Sequence, residues 1–332
     1  MSIEVARLDD ADEWNSLIER SPQTTPFHRF EALKVMGEYS NATLHPFCGY
    51  KGDEPIGLFP VFALSRGPIR IALSPPPDLK ISYLGPVLLN HEKLKRRKAE
   101  KRHRRFIEAV DVKLQETVDP RYVHVRTHPA YNDPRPFIWN DFKATPEFTY
   151  EVDITPDSDD LFMTFSGDIR SNVRHADDAE YELLEGDEAD VGRIINMAQN
   201  RHAEQGVAFN VPESFARDLY RALPEGTMRA YICRAEGEFV GGDLTLENDE
   251  VILAWQGVAD YEFDLPVTDL VVWYYIRQAH ERGIERFDLA GANNPRLCKY
   301  KAKFNPEIRS YYTLERGSKA MNGVKELYKR FR

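Results

Sequence analysis

The sequence predicts a mixed α/β (α+β) protein made of two tandem units, each a mixed central sheet flanked by helices. A hairpin with a charged glycine turn occurs twice, as KGDEPIGLFPV from Lys51 and as AEGEFVGGDLT from Ala235, and each copy is followed later by a helix and a strand. Between the copies, residues 127–146 hold four prolines and the polar run Tyr131-Asn132-Asp133, the composition of a connection between domains. The chain has 332 residues, and single cores seldom grow beyond about 250–300. The expected division is into residues 1–146 and 147–332.

In the first unit, Ala11–Arg20 and Phe30–Met36 read as helices, with the turn signals Ser21-Pro22 and Thr25-Pro26 ahead of the second. Thr43–Tyr50 and Pro55–Ala63 form the first hairpin. Residues 66–86, rich in Pro and Gly, read as a long loop carrying one strand at Ile69–Leu73. His91–Thr117 is expected as a helix with a very basic first half, followed by a strand at Tyr122–Thr127. In the second unit, Phe148–Ile154 alternates as a strand, and Pro156–Asp160 caps a helix that begins near Leu161. Met228–Ala235, Phe239–Leu246 and Val251–Val258 read as strands. Val267–Arg282 is apolar almost all the way round (Leu270, Val271, Val272, Trp273, Ile276), which is the pattern of a buried helix. Pro266 suits its first turn and Gly283 its end. A short strand, Ile284–Leu289, then points into the turn Ala290-Gly291-Ala292, and Lys299–Phe304 interleaves three cations with two aromatics.

Lys and Arg number 44 against 54 for Asp and Glu, so the net charge of −10 argues against non-specific nucleic-acid binding. The N-terminus has no basic region followed by an apolar core, and no run approaches the roughly 18–20 apolar residues of a membrane span, so a soluble, cytoplasmic protein without a transmembrane segment is expected. Cys48, Cys233 and Cys298 are scattered and odd in number, which fits neither a disulfide framework nor a cysteine zinc site. With no His/Cys ligand cluster and no G-x-G-x-x-G, no metal and no nucleotide redox cofactor is implied.

Four stretches in order, FMTFSGDIRSNVRHA (162–176), EGEFVGGDLTL (236–246), WQGVADYEFDLPVTDLVVWYYIRQAHERG (255–283) and FDLAGANNPRLCKYKAKF (287–304), resemble the FemAB-like branch of the GNAT acyltransferase superfamily, which includes the BioF2-like acetyltransferase-like domains. The resemblance implies tandem GNAT-like units: a degenerate one at 1–146 and the acyltransferase domain at 147–332. It also implies a direct transfer, in which an amine attacks a thioester or ester carbonyl and donors stabilise the oxyanion. In that family the acyl carrier is held where a strand ends and a helix begins, because the N-terminal end of a helix suits phosphate. Here that junction, Ala259–Asp269, lacks the glycine-rich acetyl-CoA loop and carries Asp260, Glu262, Asp264 and Asp269, which are poor company for a pyrophosphate.

By the same resemblance Lys301, in the family's F-K-x-x-F(G) motif with Tyr300 for the first Phe and Phe304 as the second, contacts the donor phosphates or the oxyanion. The bland alternative for that segment is a solvated strand edge. Arg170, Asn172 and Arg174 match R-x-N-x-R-x-A and imply anion binding; the alternative is ion pairing with Asp168, Asp177 and Asp178. Asp288, at the end of a central strand, is a candidate base or a carboxylate bonded to the next turn. Trp255 and Gln256 are candidates to line an acyl tunnel, and Arg201, beside His202 and Gln205, to bind the acceptor.

Residues 93–105 hold nine Lys or Arg plus His103, readable as a tRNA-docking surface or as a solvated helix face. The function expected is N-acyl or aminoacyl transfer, from acyl-CoA or aminoacyl-tRNA as co-substrate, to an amine on a small molecule, glycan, peptide or cell-envelope precursor. The alternative is a catalytically silent GNAT-fold binding or scaffold module.

Overall fold

In the computed structural model, which describes residues 2–67, 69–176 and 179–317, both hairpins form, one in each of two units. The first unit runs β1 (Glu4–Arg7), α1 (Ala11–Ile18), α2 (Phe30–Ser40), β2 (Thr43–Lys51), β3 (Glu54–Arg66), β4 (Ile69–Ser74), β5 (Val87–Leu88), α3 (Arg96–Thr117), β6 (Tyr122–Arg126) and α4 (Arg135–Ile138). Strands β1 to β4 follow one another antiparallel, β5 pairs with β3, and β6 returns parallel to β4 after the α3 crossover. Phe106, Ile107, Val110 and Leu114 form the buried stripe of α3 against Phe47, Ile56, Phe59 and Val61. The hairpin's Gly49 and Gly57 are required by this packing, because a Cβ on either would lie 2.5–2.7 Å from the Phe106 ring.

Residues 127–146 are not a bare connection. Tyr131, Phe137 and Phe142 are buried in the core of this unit, and the prolines Pro134 and Pro136 open α4. The apolar payload of the three aromatics outweighs the linker-like composition around them.

The second unit contains β7 (Lys143–Asp153, from Phe148 onward), α5 (Ser158–Thr164), α6 (Gly167–His175), β8 (Tyr181–Gly186), α7 (Glu188–Glu204), α8 (Glu213–Ala222), β9 (Met228–Ala235), β10 (Glu238–Glu247), β11 (Val251–Ala259), α9 (Val267–Glu281), β12 (Arg286–Asp288) and α10 (Pro295–Lys301). Its pairing repeats that of the first: β8, β9, β10 and β11 run antiparallel in succession, and β12 returns parallel to β11 after the α9 crossover. Helix α9 is buried as its composition requires, and packs Val271, Val272, Trp273, Tyr275 and Ile276 into a core shared with Tyr231, Val240, Ile252 and Phe287.

The last strand, β13 (Glu307–Gly317), corrects the expected domain boundary. Its residues from Ser310 on belong to the first unit, where Thr313–Gly317 pair antiparallel with β6, while β12 is paired antiparallel by Glu151–Asp153 of β7. The segment expected to be wholly in 147–332 thus gives its C-terminal strand back to the first unit. Sheet completion is a non-local requirement: β6 needs a partner on its free edge, and Thr313–Gly317 of β13 supply it.

Candidate active site

The site is built around the place where β11 and β12 part. They pair only through Val251–Leu253 with Arg286–Asp288; β11 then continues to Ala259 while β12 ends. Beyond Asp288 the chain turns sharply through Ala290 (φ 55°) and Gly291 (φ 94°). Asp288 is 3% exposed, and its Oδ1 accepts from Thr149 Oγ1 at 2.6 Å and from the Ala290 N–H at 2.8 Å; Gly291 N donates to Thr149 Oγ1 at 2.8 Å. The turn presents three successive carbonyls inward, and Lys301 Nζ donates to all of them: Leu289 O at 2.5 Å, Ala290 O at 3.0 Å and Gly291 O at 2.9 Å. An ammonium has three donors, so these bonds use every one. Burial holds the Lys301 pKa below the usual lysine range, opposed by the nearby Asp288 and Asp243 charges.

Lys301 is therefore neither on a solvated strand edge nor pointed at an open phosphate position. Its segment is α10 followed by a short turn over Ala302–Phe304, opened by Asn294, whose side chain accepts from Arg296 N, with Pro295 behind it. Phe304 is fully buried, edge-on to Phe165 at 5.3 Å and to Tyr300 at 5.6 Å, so it is core and lines no open surface. Lys303 pairs with Asp168, whose pKa is lowered to about 2 by that ammonium and by Ser166.

A second cluster sits at the N-terminus of α9. Asp269, in its first turn, accepts from Asn172 Nδ2 at 2.7 Å and from Tyr300 OH at 2.8 Å, which joins α6, α9 and α10. Burial, then the Asp269 charge, raises the Tyr300 phenol well above its ordinary pKa. Of the other junction carboxylates, Asp260 caps its own loop by accepting from Glu262 N at 2.9 Å. In that loop Tyr261 is exposed, and the Arg201 guanidinium lies over its ring at 4.0 Å.

The R-x-N-x-R pattern does not form one cradle. On α6, Asn172 turns to Asp269 while Arg170 and Arg174 lie along Met163 Sδ at 3.5 and 3.7 Å, with Arg174 also over Phe162 at 5.6 Å. Residues i and i+4 share a helix face and i+2 does not. The ion pairing expected from Asp168 goes to Lys303, and Asp177 and Asp178 lie outside the described residues. Trp255 is buried and packs on Phe215 of α8 at 5.9 Å; Gln256 is half-buried on β11, across from Leu244.

Sequence reasoning missed Asp243. It lies on β10 directly across from Gly257, and a Cβ on that glycine would come to 3.0 Å from Asp243 Oδ2. Its Oδ1 is buried without a hydrogen-bond partner among the described residues. Burial raises its carboxyl pKa to about 7, opposed by Lys301, by a hydrogen bond from Tyr275 and by the Leu244 backbone N–H. The available signal was a carboxylate set after Gly241-Gly242 in a strand otherwise composed for burial.

Among the described residues no group of three or more His, Cys, Asp or Glu is placed to hold a metal ion, and no helix is long and apolar enough to cross a membrane.

Residues 164–302 match the family model of the acetyltransferase (GNAT) domain. No curated protein matches the chain in sequence. Among solved structures it is similar to FemX, with 11% identity over 93% of this chain and 96% of that one and a TM-score of 0.72. It is also similar to the C-terminal domain of a protein assigned as a lysylphosphatidylglycerol synthetase of Agrobacterium fabrum, at 12% identity, 96% of each chain and a TM-score of 0.59. A tandem GNAT protein from the clavulanic acid biosynthesis pathway aligns at 15% identity over 95% of this chain and 98% of that one, with a TM-score of 0.52. At these identities the likeness establishes the fold, which is that of FemX and the tandem GNAT proteins.

Proposed function

We propose, from a GNAT domain carried on the fold of FemX, that this protein is an N-acyltransferase. It moves an acyl or aminoacyl group from a CoA thioester or an aminoacyl-tRNA to an amine on a sugar, a peptide or a cell-envelope precursor. The observation that carries the reading is the parting of β11 from β12 inside the matched residues. Beyond Leu253 that edge of β11 has no partner strand among the described residues, and such an edge suits an extended amide-bearing arm of a donor. The N-terminus of α9 lies at the end of the same strand, with Arg201 and Tyr261 on the loop side to meet a donor's phosphates and Gln256 on the strand itself. Lys301 and Asp288 act by holding the turn after β12 in shape. The two units are the working domains, with transfer in the second. We place the protein in the cytoplasm, where both classes of donor are made.

The likeness to an assigned lysylphosphatidylglycerol synthetase supports an aminoacyl donor, and α3 supplies a surface for its RNA. Arg102 and His103 of the basic run are buried, and Arg96 and Arg104 are paired with Glu100 and Glu108, but Lys95, Arg97, Lys98 and Lys101 are exposed. Phosphate contacts from such a row lose affinity steeply with salt.

One observation favours the rival reading of a silent binding module: Asp269 places a carboxylate where a donor phosphate would meet the α9 N-terminus. A thermal-shift panel with acetyl-CoA, longer acyl-CoAs, free CoA and a charged tRNA pool separates the readings, followed by turnover with any donor that shifts the melt. A ligand at about 100 times its dissociation constant stabilises by about 2.7 kcal/mol. A shift with turnover supports transfer; no shift with any of them supports the module.

A further inference from the structure

Asp243 stands apart from the other carboxylates of the second unit. Asp288 is bonded to Thr149 and Ala290, Asp269 to Asn172 and Tyr300, and Glu247 to Tyr231, Arg229 and Arg282. None of those has a buried oxygen without a hydrogen-bond partner. Among the described residues the buried Oδ1 of Asp243 is the carboxylate oxygen left without one. Such an oxygen costs stability while the carboxyl is charged, and so favours its holding a proton. The neighbouring strand makes room for a ligand at the other oxygen, Oδ2, since Gly257 has no side chain to cover it. The residue also lies on β10, whose partner β11 is the strand that parts from β12.

We propose that Asp243 is the general base that accepts the proton of the acceptor's attacking amine. This rests on the acyltransferase reading above and names the class of acceptor, a primary ammonium. Oδ2, the oxygen next to the position that Gly257 leaves open, receives one N–H of that ammonium and takes its proton. The neutral nitrogen attacks the donor's carbonyl carbon, a C–N bond forms, and the carbonyl pair moves to oxygen. When the pair returns, the C–S or C–O bond to the carrier breaks. The second proton on nitrogen passes to the leaving sulfur or oxygen, and Asp243 releases its own proton to solvent.

The surroundings fit a base that works near neutral pH. Lys301 faces the carboxylate from α10 and favours its charged form, as does the hydrogen bond from Tyr275 of α9, while burial opposes both and leaves the carboxyl at about 7. Around these lie Tyr231 and Tyr300 beside Tyr275, Asp288 and Cys298 beside Lys301, and Asp269 beside Tyr300.

The test uses the full chain with two donors, acetyl-CoA and a charged tRNA pool, and two amines, glucosamine and a lysine-containing peptide. The rate is followed against pH for the wild type, Asp243→Asn and Asp243→Glu, and the carboxyl carbon of Asp243 is titrated by NMR on 13C-labelled protein. The expected result is a loss of kcat of about 10²–10⁴-fold in Asp243→Asn with the acidic limb of the profile removed and donor KM unchanged, with partial recovery in Asp243→Glu. Turnover in Asp243→Asn within about threefold of wild type, with the same limb, overturns the proposal and leaves the transferase reading standing. A carboxyl midpoint in the ordinary aspartate range, near 3.9, overturns it whether or not the wild type turns over. Absence of wild-type turnover on every pair, with a midpoint near 7, removes the transferase reading and the catalytic role with it.

Discussion

The phenol of Tyr300 donates to Asp269 Oδ1 at 2.8 Å, and Asn172 donates to the other oxygen of the same carboxylate at 2.7 Å. An acidic residue in the first turn of a helix is favoured by the helix dipole, and two side-chain donors make its burial tolerable. The carboxylate that stands at the phosphate end of α9 is also a junction that locks α6 and α10 onto α9.

Tyr300→Phe tests that junction. The substitution keeps the ring packed on Phe304 and removes one donor to a buried carboxylate, a bond of the charged class worth about 1.5–3 kcal/mol. Urea unfolding is expected to report a loss in that range with an unchanged m-value. A loss below about 0.5 kcal/mol would mean that Asp269 relies on Asn172 alone.

Lys301→Met is expected to destabilise the second unit by about 3 kcal/mol, because it leaves the carbonyls of residues 289–291 without their donor and Asp288 without its neighbouring cation. The resemblance alone implies a variant that folds as wild type and fails only in transfer; unchanged unfolding with lost transfer would restore that role. Hydrogen exchange of the Gly291 amide, bonded to Thr149, gives a local readout of the same turn.

What the sequence disclosed depended on range. Helix α9 was legible because Pro266, Gly283 and the apolar run between them are local signals, and so were the hairpins around Gly52 and Gly237. Asn294-Pro295 carried an equally local signal for α10, and the motif reading of Lys299–Phe304 passed over it. The strand exchange was not legible: the partner of β6 lies about 190 residues further on, and nothing in Thr313–Gly317 names it. Asp243 was missed for the same reason. Its partner Gly257 is a matter of register across a pair that also contains an irregularity at Leu244/Thr245, and its unpaired oxygen is a property of packing.

Acid should weaken the first unit through two buried histidines. Burial lowers His28 to about 4 and His103 to about 3, and each has a ring nitrogen without a hydrogen-bond partner among the described residues. Both stay neutral in the folded state while the unfolded chain takes up protons below about 6.5, so the unfolded state binds more protons in that window. Stability is therefore full above pH 6.5 and falls as pH drops toward 4, by up to about 1.36 kcal/mol per pH unit for each histidine. Urea midpoints measured from pH 7.5 down to pH 4.5 give the slope; a flat profile would show that neither ring is held neutral.

Gly257→Ala separates catalysis from folding at the parted strands. The new Cβ would stand 3.0 Å from Asp243 Oδ2, 3.1 Å from its Cγ and 3.3 Å from its Oδ1, tighter than ordinary contact, so the carboxylate must shift by a few tenths of an ångström and its open side is covered. The backbone of β11 accepts alanine without penalty, and the strain falls on one side chain, so the stability change should stay near 1 kcal/mol. Turnover should fall by at least tenfold, because a covered base no longer meets the amine. Asp243→Asn combined with Gly257→Ala should then be no slower than Asp243→Asn alone, since both act through one group. Additive losses in the double variant would mean that Gly257 serves the site by some route other than Asp243.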